Sequence, residues 1–157
     1  MSMFTLLTGS CALAADISKD HAQRVIKASG ALQLMQSGKS AKVQACMEKE
    51  WNKALPQVNK VYVDNFTSEE LNSIANFFES TTGVRYVKAL EIGHADRFKP
   101  MAEQRKPDFK PEEAEAVKAF YQTPAGKKFV DSEEAKTVTN ETMMIGMQVG
   151  IACGKIK

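Results

Sequence analysis

The chain contains only two imidazoles, His21 and His94, so nucleophilic or general acid–base chemistry has few places to reside. His94 lies in Gly93-His94-Ala95-Asp96, two residues from a carboxylate, and side chains two apart on a helix do not face each other. It is therefore expected at the surface or at a helix end rather than in a catalytic pair. His21, between Asp20 and Arg24, reads as a surface residue. Glu69-Glu70 and Glu112-Glu113 could serve as paired carboxylates, yet both pairs fall in first helical turns, where the helix dipole alone favours negative charge. There is no His-x-x-x-His, Asp-rich metal loop, phosphate-binding Gly-x-x-x-x-Gly-Lys or Gly-x-Ser-x-Gly elbow. No catalytic, cofactor-binding or metal-binding residue is assigned, and no cofactor is expected. Met143, Met144 and Met147 could offer thioethers to a soft metal, but adjacent Met143 and Met144 point apart on a helix and no histidine supports them. Their flexible, polarizable side chains suit an irregular core or an adaptable apolar surface. With Gly146 and Gly150 they form the candidate ligand or partner surface.

These residues need helices to position them. No segment combines strand alternation with a hairpin turn, apart from the brief Val61-Tyr62-Val63, so the chain is read as all-α. A first helix is expected from Ser18 to about Gln36, closed by Ser37-Gly38-Lys39-Ser40. A second runs from Ser40 toward Leu55, where Pro56 kinks or restarts it. Thr67 is the clearest helix start: its hydroxyl can accept the Glu70 N–H while the Glu70 carboxylate reaches back. Leu71, Ile74, Ala75 and Phe78 follow on one buried face. Beyond Ser80-Thr81-Thr82-Gly83 another helix brings Val84, Val87, Ala89 or Leu90 to the core. The last helix, from Ser132, becomes nearly apolar all round, which makes it the candidate central helix. Gly146, Gly150 and Gly154 leave one of its edges bare for another helix backbone, and Gly154 offers a left-handed terminus.

The layout around Thr67 recurs after 43 residues. Residues 66–88 align without a gap to residues 109–131, and six positions are identical: Phe66, Glu69, Glu70, Phe77, Gly83 and Val87 in the first copy. Pro111 and Pro124 fall at first helical positions, where a missing N–H costs nothing. The expectation is a compact bundle of about five to seven helices containing two related helix-turn-helix units with aromatic pairs facing a shared core.

The chain has 157 residues and a formal charge of only +2, which fits one compact domain and argues against nucleic-acid binding. Its first fifteen residues carry no charge, and Ala12-Leu13-Ala14 matches the small-x-small pattern of signal cleavage. Residues 1–14 are thus read as a signal peptide and residues 15–157 as a single helical domain in the periplasm or outside the cell. No stretch is long and apolar enough to span a bilayer. Cleavage removes Cys11 and leaves Cys46 and Cys153, an even pair that invites a disulfide in an oxidising compartment; two buried free thiols are the alternative.

Phe66-Thr-Ser-Glu-Glu-Leu with its Phe77-Phe78 pair, and Phe109-Lys-Pro-Glu-Glu-Ala with Phe120-Tyr-Gln-Thr-Pro-Ala-Gly126, resemble the bacterial exported family known as domain of unknown function 2059. The match is closer over residues 109–150, and Val25-Ile-Lys-Ala-Ser-Gly-Ala31 resembles the family's first helix. Thr81-Thr82 replaces the proline, so the first copy is the more divergent. The resemblance implies a small helical exported protein and carries no catalytic residues. The leading functional expectation is a non-enzymatic envelope protein that binds a protein or small apolar ligand in a groove along the methionine and glycine helix. The alternatives are a structural homodimer that buries the Gly146, Gly150 and Gly154 edge, and an enzyme without a recognisable motif.

Overall fold

The computed structural model describes residues 9–154, which form helices and connecting turns, with no strand among them. The expected signal segment lies largely outside the described residues, and residues 9–14 begin the first helix. In chain order the helices are α1 (Gly9–Ala28), α2 (Ala31–Gln36), α3 (Ala41–Asn65), α4 (Ser68–Glu79), α5 (Thr81–Asp96), α6 (Pro111–Gln122), α7 (Pro124–Asp131) and α8 (Glu133–Cys153), with a 3-10 turn at Met101–Glu103 between α5 and α6. Seven of the eight α-helices have eight residues or more, and α2 is a six-residue link. The all-α bundle read from the sequence is the fold observed.

Local chemistry explains most boundaries. Thr67 Oγ1 accepts the Glu70 N–H at 3.2 Å and the Glu70 carboxylate accepts the Thr67 N–H at 2.8 Å, closing the expected capping box. Ser80 both ends α4 and starts α5, donating to the Phe77 carbonyl at 2.6 Å and accepting the Gly83 N–H at 3.1 Å. Thr123 repeats this between α6 and α7, donating to Phe120 at 2.7 Å and accepting from Gly126 at 3.0 Å. The turns are so tight that a Cβ on Gly83 or Gly126 would collide with the carbonyl oxygen of Phe77 or Phe120. The α4 and α6 bounds coincide under the 43-residue shift.

The core joins α3 to α8 and α1 to α4, with α1 also resting on α3. Leu71, Ile74 and Ala75 of α4 are fully buried beside Val25 of α1 and Val58 of α3. Arg24 ties α1 to α4 at the surface through Asn72, Asn76 and Glu79. Cys46 on α3 and Cys153 on α8 form a disulfide, with Cα atoms 5.8 Å apart and a sequence separation of 107.

Six expectations change. The first helix does not continue to Gln36, because Gly30 takes φ +73°, a left-handed conformation that divides α1 from α2. α3 runs unbroken through Pro56, which lies on the solvent face beside exposed Asn52, so the carbonyl left without a helical partner can be hydrated. Of the α5 side chains expected in the core only Val87 is buried, while Val84 and Leu90 remain exposed. α8 is not central: Val138, Ile145, Val149 and Cys153 face α3 and α7, but Met143, Met144, Met147 and Ile151 are exposed. Its bare edge is not met by a helix backbone either, since Gly146 is covered by the Met35 side chain and Gly150 has open space; Gly154 has φ −68°, an ordinary right-handed value.

Candidate ligand groove

Phe77 and Phe120 occupy the same place in the two helix-turn-helix units, and their rings stack with centroids 3.9 Å apart and planes 2° from parallel. The contacts flanking them come in pairs that exchange the units. Phe77–Tyr121 and Phe78–Phe120 both have 6.3 Å separations. Phe78–Phe129 at 5.5 Å corresponds to Tyr86–Tyr121 at 6.2 Å, both edge-on, and Phe66–Phe129 at 6.2 Å corresponds to Tyr86–Phe109 at 6.1 Å. The ion pairs Lys128–Glu70 and Arg85–Glu113, each 2.9 Å, obey the same exchange. Reciprocal contacts of this kind define an isologous two-fold interface. Here that interface lies within one chain.

A groove of about 610 Å³ opens against these rings. Phe78 and Phe129 line one part and Tyr86 and Tyr121 another, so the aromatic wall is two-fold in shape but polar on one side only. Ala31, Leu34 and Met35 of α2 and Met47 and Tyr62 of α3 continue the wall, with Leu90 from α5. Thr139, Thr142, Met143, Gly146, Met147 and Gly150 supply the α8 side, one face of a helix at spacings of three and four. The structure therefore brings Met143, Gly146, Met147 and Gly150 together along one cavity. Met144 is absent from its lining and half exposed elsewhere on α8.

Polar groups in the groove are few. Tyr121 donates its hydroxyl hydrogen bond to Tyr86 at 3.2 Å, which leaves the Tyr86 proton able to serve another acceptor. Burial, aided by the bond to Tyr86, pushes the Tyr121 phenol well up, and burial raises Tyr62 to about 12, so both stay neutral hydrogen-bonding groups. Thr142 Oγ1 is buried without a hydrogen-bond partner. Lys39 contributes a cation at the α2–α3 turn. This set can hold an apolar body and satisfy one or two polar atoms; it offers no nucleophile paired with a base.

The histidines lie elsewhere. His21 is half-buried, its Nδ1 3.0 Å from both the carbonyl and hydroxyl oxygens of Ser68, so its expected surface role becomes a link from α1 to the start of α4. His94 Nε2 is 2.7 Å from Arg97 Nη1 at the end of α5. Glu70 and Glu113 are held in caps and ion pairs; burial pushes Glu70 up, but bonds from Lys128 and Thr67 outweigh it and lower its pKa. Among the described residues no group of three or more His, Cys, Asp or Glu side chains is arranged to hold a metal ion. The sequence reading missed Tyr86, Tyr121 and Thr142. The first two carry the repeat alignment signal, as Tyr121 matches Phe78 and Tyr86 matches Phe129, and departures between copies were the available clue.

The helical bundle and its groove define the chain as a small all-α protein with a cavity lined mainly by apolar side chains. The family profile described as an uncharacterized protein conserved in bacteria, domain of unknown function 2059, matches residues 52–95 and 107–154, and the chain belongs to that family. The first matched segment contains α4 and the second α6, the helices that carry the stacked phenylalanines. No curated protein and no solved structure matches the chain significantly. No described helix is long and apolar enough to cross a membrane.

Proposed function

We propose that this is an exported, non-enzymatic binding protein of the bacterial cell envelope, whose groove takes a slender apolar ligand with a small polar end. The groove itself carries this reading: its volume of about 610 Å³ lies within the roughly 300–1,000 Å³ of small-molecule sites, and its walls are mainly aliphatic, aromatic and thioether. Methionines at the rim can repack around related ligands. The unpartnered Thr142 hydroxyl and the Tyr86–Tyr121 pair give the polar end partners, because a buried polar group without a hydrogen bond is costly. The abrupt polar boundary after Ala15 and the Cys46–Cys153 disulfide favour an oxidising compartment such as the periplasm or the cell exterior.

Gly150 supplies the test. A Cβ there meets no atom within 4 Å and Gly150 lines the groove, so Gly150→Leu is expected to occupy the site without disturbing the helix packing. The wild-type protein is expected to enhance the fluorescence of N-phenylnaphthylamine, with a fatty acid displacing the probe. Gly150→Leu is expected to weaken probe binding by at least tenfold without lowering the melting temperature. Equal binding by the two proteins would remove the groove from the account.

The exposed Met144 and Ile151 favour a second reading, a homodimer through the outer face of α8. Because Met144 lies outside the groove, Met144→Lys separates the two readings. Sedimentation that shows a wild-type dimer and a Met144→Lys monomer supports the dimer; a wild-type monomer at micromolar concentration rejects it.

A further inference from the structure

Between α5 and α6, residues 97–110 project two large apolar side chains into water: Phe98 is 87% and Met101 89% exposed. They are carried on a braced segment. Asp96, buried at the end of α5, accepts from the Arg105 backbone N–H at 2.9 Å, from Arg105 Nε at 2.8 Å and Nη2 at 3.0 Å, and from Lys99 Nζ at 2.8 Å. The Lys99 N–H bonds the Asp96 carbonyl, and the 3-10 turn Met101–Glu103 fixes the tip. Phe109 packs on Tyr86 at the far end, anchoring the segment to the body of the protein.

The charge around the two apolar groups is uneven. Residues 96–110 contain Arg97, Lys99, Arg105, Lys106 and Lys110 against Asp96, Glu103 and Asp108; Lys99 and Arg105 are taken up by Asp96, and Asp108 pairs with Arg85, which leaves Arg97, Lys106 and Lys110 against Glu103 outside the brace. Arg97 lies over the Phe98 ring, 4.6 Å from its centroid. A projecting aromatic and a methionine among cations match an interface that is apolar within and anionic at its surface. We propose that this loop docks the protein on an anionic phospholipid surface, with Phe98 and Met101 entering the headgroup region and Arg97, Lys106 and Lys110 meeting lipid phosphates. A lipid surface fits better than a protein partner, because stable protein interfaces bury roughly 800 Å² on each side, whereas this site offers two isolated side chains. The proposal does not depend on what fills the groove, although Leu90 of the groove precedes Asp96 by only about 9 Å along α5.

Cosedimentation of the full chain with vesicles of phosphatidylglycerol and phosphatidylethanolamine, compared with phosphatidylcholine vesicles, tests the proposal. Binding is expected to the anionic vesicles, to weaken as salt rises, and to fall by about tenfold or more in the double variant Phe98→Ser, Met101→Ser. Phe98→Trp should show a blue shift of the added tryptophan emission on anionic vesicles. No binding to anionic vesicles at low salt overturns the proposal. Binding that the double serine variant retains, with no emission shift in Phe98→Trp, also overturns it by assigning attachment to another part of the chain.

Discussion

Cys153 is fully buried and Cys46 lies partly buried against the same core, so their bond is part of the α3–α8 packing rather than a surface clasp. With a sequence separation of 107 it restricts the unfolded chain strongly, a contribution of about 4–5 kcal/mol on loop entropy. Replacing both cysteines by alanine is expected to lower unfolding free energy by a few kcal/mol in urea melts, with helical content retained. Tyr62 provides a second check. Its folded pKa is about 12 against about 10 in the unfolded chain. The folded state therefore holds that proton more tightly, so the associated stability is present below about pH 10 and is lost as pH rises toward 12. Absorbance titration is expected to show two delayed phenolates, Tyr62 and Tyr121, of which Tyr62→Phe removes one. The methionines and cysteines were legible because their types and spacing carry meaning locally. The Tyr86–Tyr121 bond was not, because it joins side chains 35 residues apart through packing of α5 on α6.

The four cap-and-turn devices show how short signals fix helices. Thr67, Pro111, Pro124 and Ser132 all stand at or beside the starts of observed helices, where their chemistry satisfies or dispenses with free N–H groups. Gly30 was harder to read: it takes a left-handed φ of +73° and sits against Val87 of α5, whose Cγ1 lies 2.5 Å from where a Cβ would stand. The apparent centrality of α8 failed for a related reason, since apolar composition does not say which neighbours are present. Glycine substitutions separate these cases. Gly83→Ala and Gly126→Ala force a methyl onto backbone and are expected to cost about 2–4 kcal/mol each, whereas exposed-space Gly150→Ala should stabilise by up to about 1 kcal/mol, all measured by urea unfolding. The loop brace has its own pH response. Hydrogen bonds from Arg105, then Lys99, hold Asp96 far below the usual carboxylate range. The unfolded or opened segment takes up a proton first, so bracing is complete above about pH 4 and weakens as pH falls. Hydrogen exchange is expected to show the Arg105 amide losing protection there, and Asp96→Asn should show the loss at neutral pH.

At the scale of the whole molecule, two helix-turn-helix units meet as the halves of an isologous dimer would, and the rest of the chain breaks their symmetry. α1 covers α4, while α8 follows directly from α7 and leaves α6 more open. The groove lies where the aromatic two-fold meets these unequal additions, with tyrosine hydroxyls on one side and phenyl rings on the other. The bundle was legible in helix periodicity and the repeat, but a cavity depends on how seven helices fail to fill the space between them. Native mass spectrometry of protein purified from a bacterial envelope without denaturation tests the binding account most directly. The account predicts a small apolar adduct on the wild-type protein that is lost in Gly150→Leu. A wild-type protein carrying no adduct and taking up none when mixed with fatty acids would contradict it.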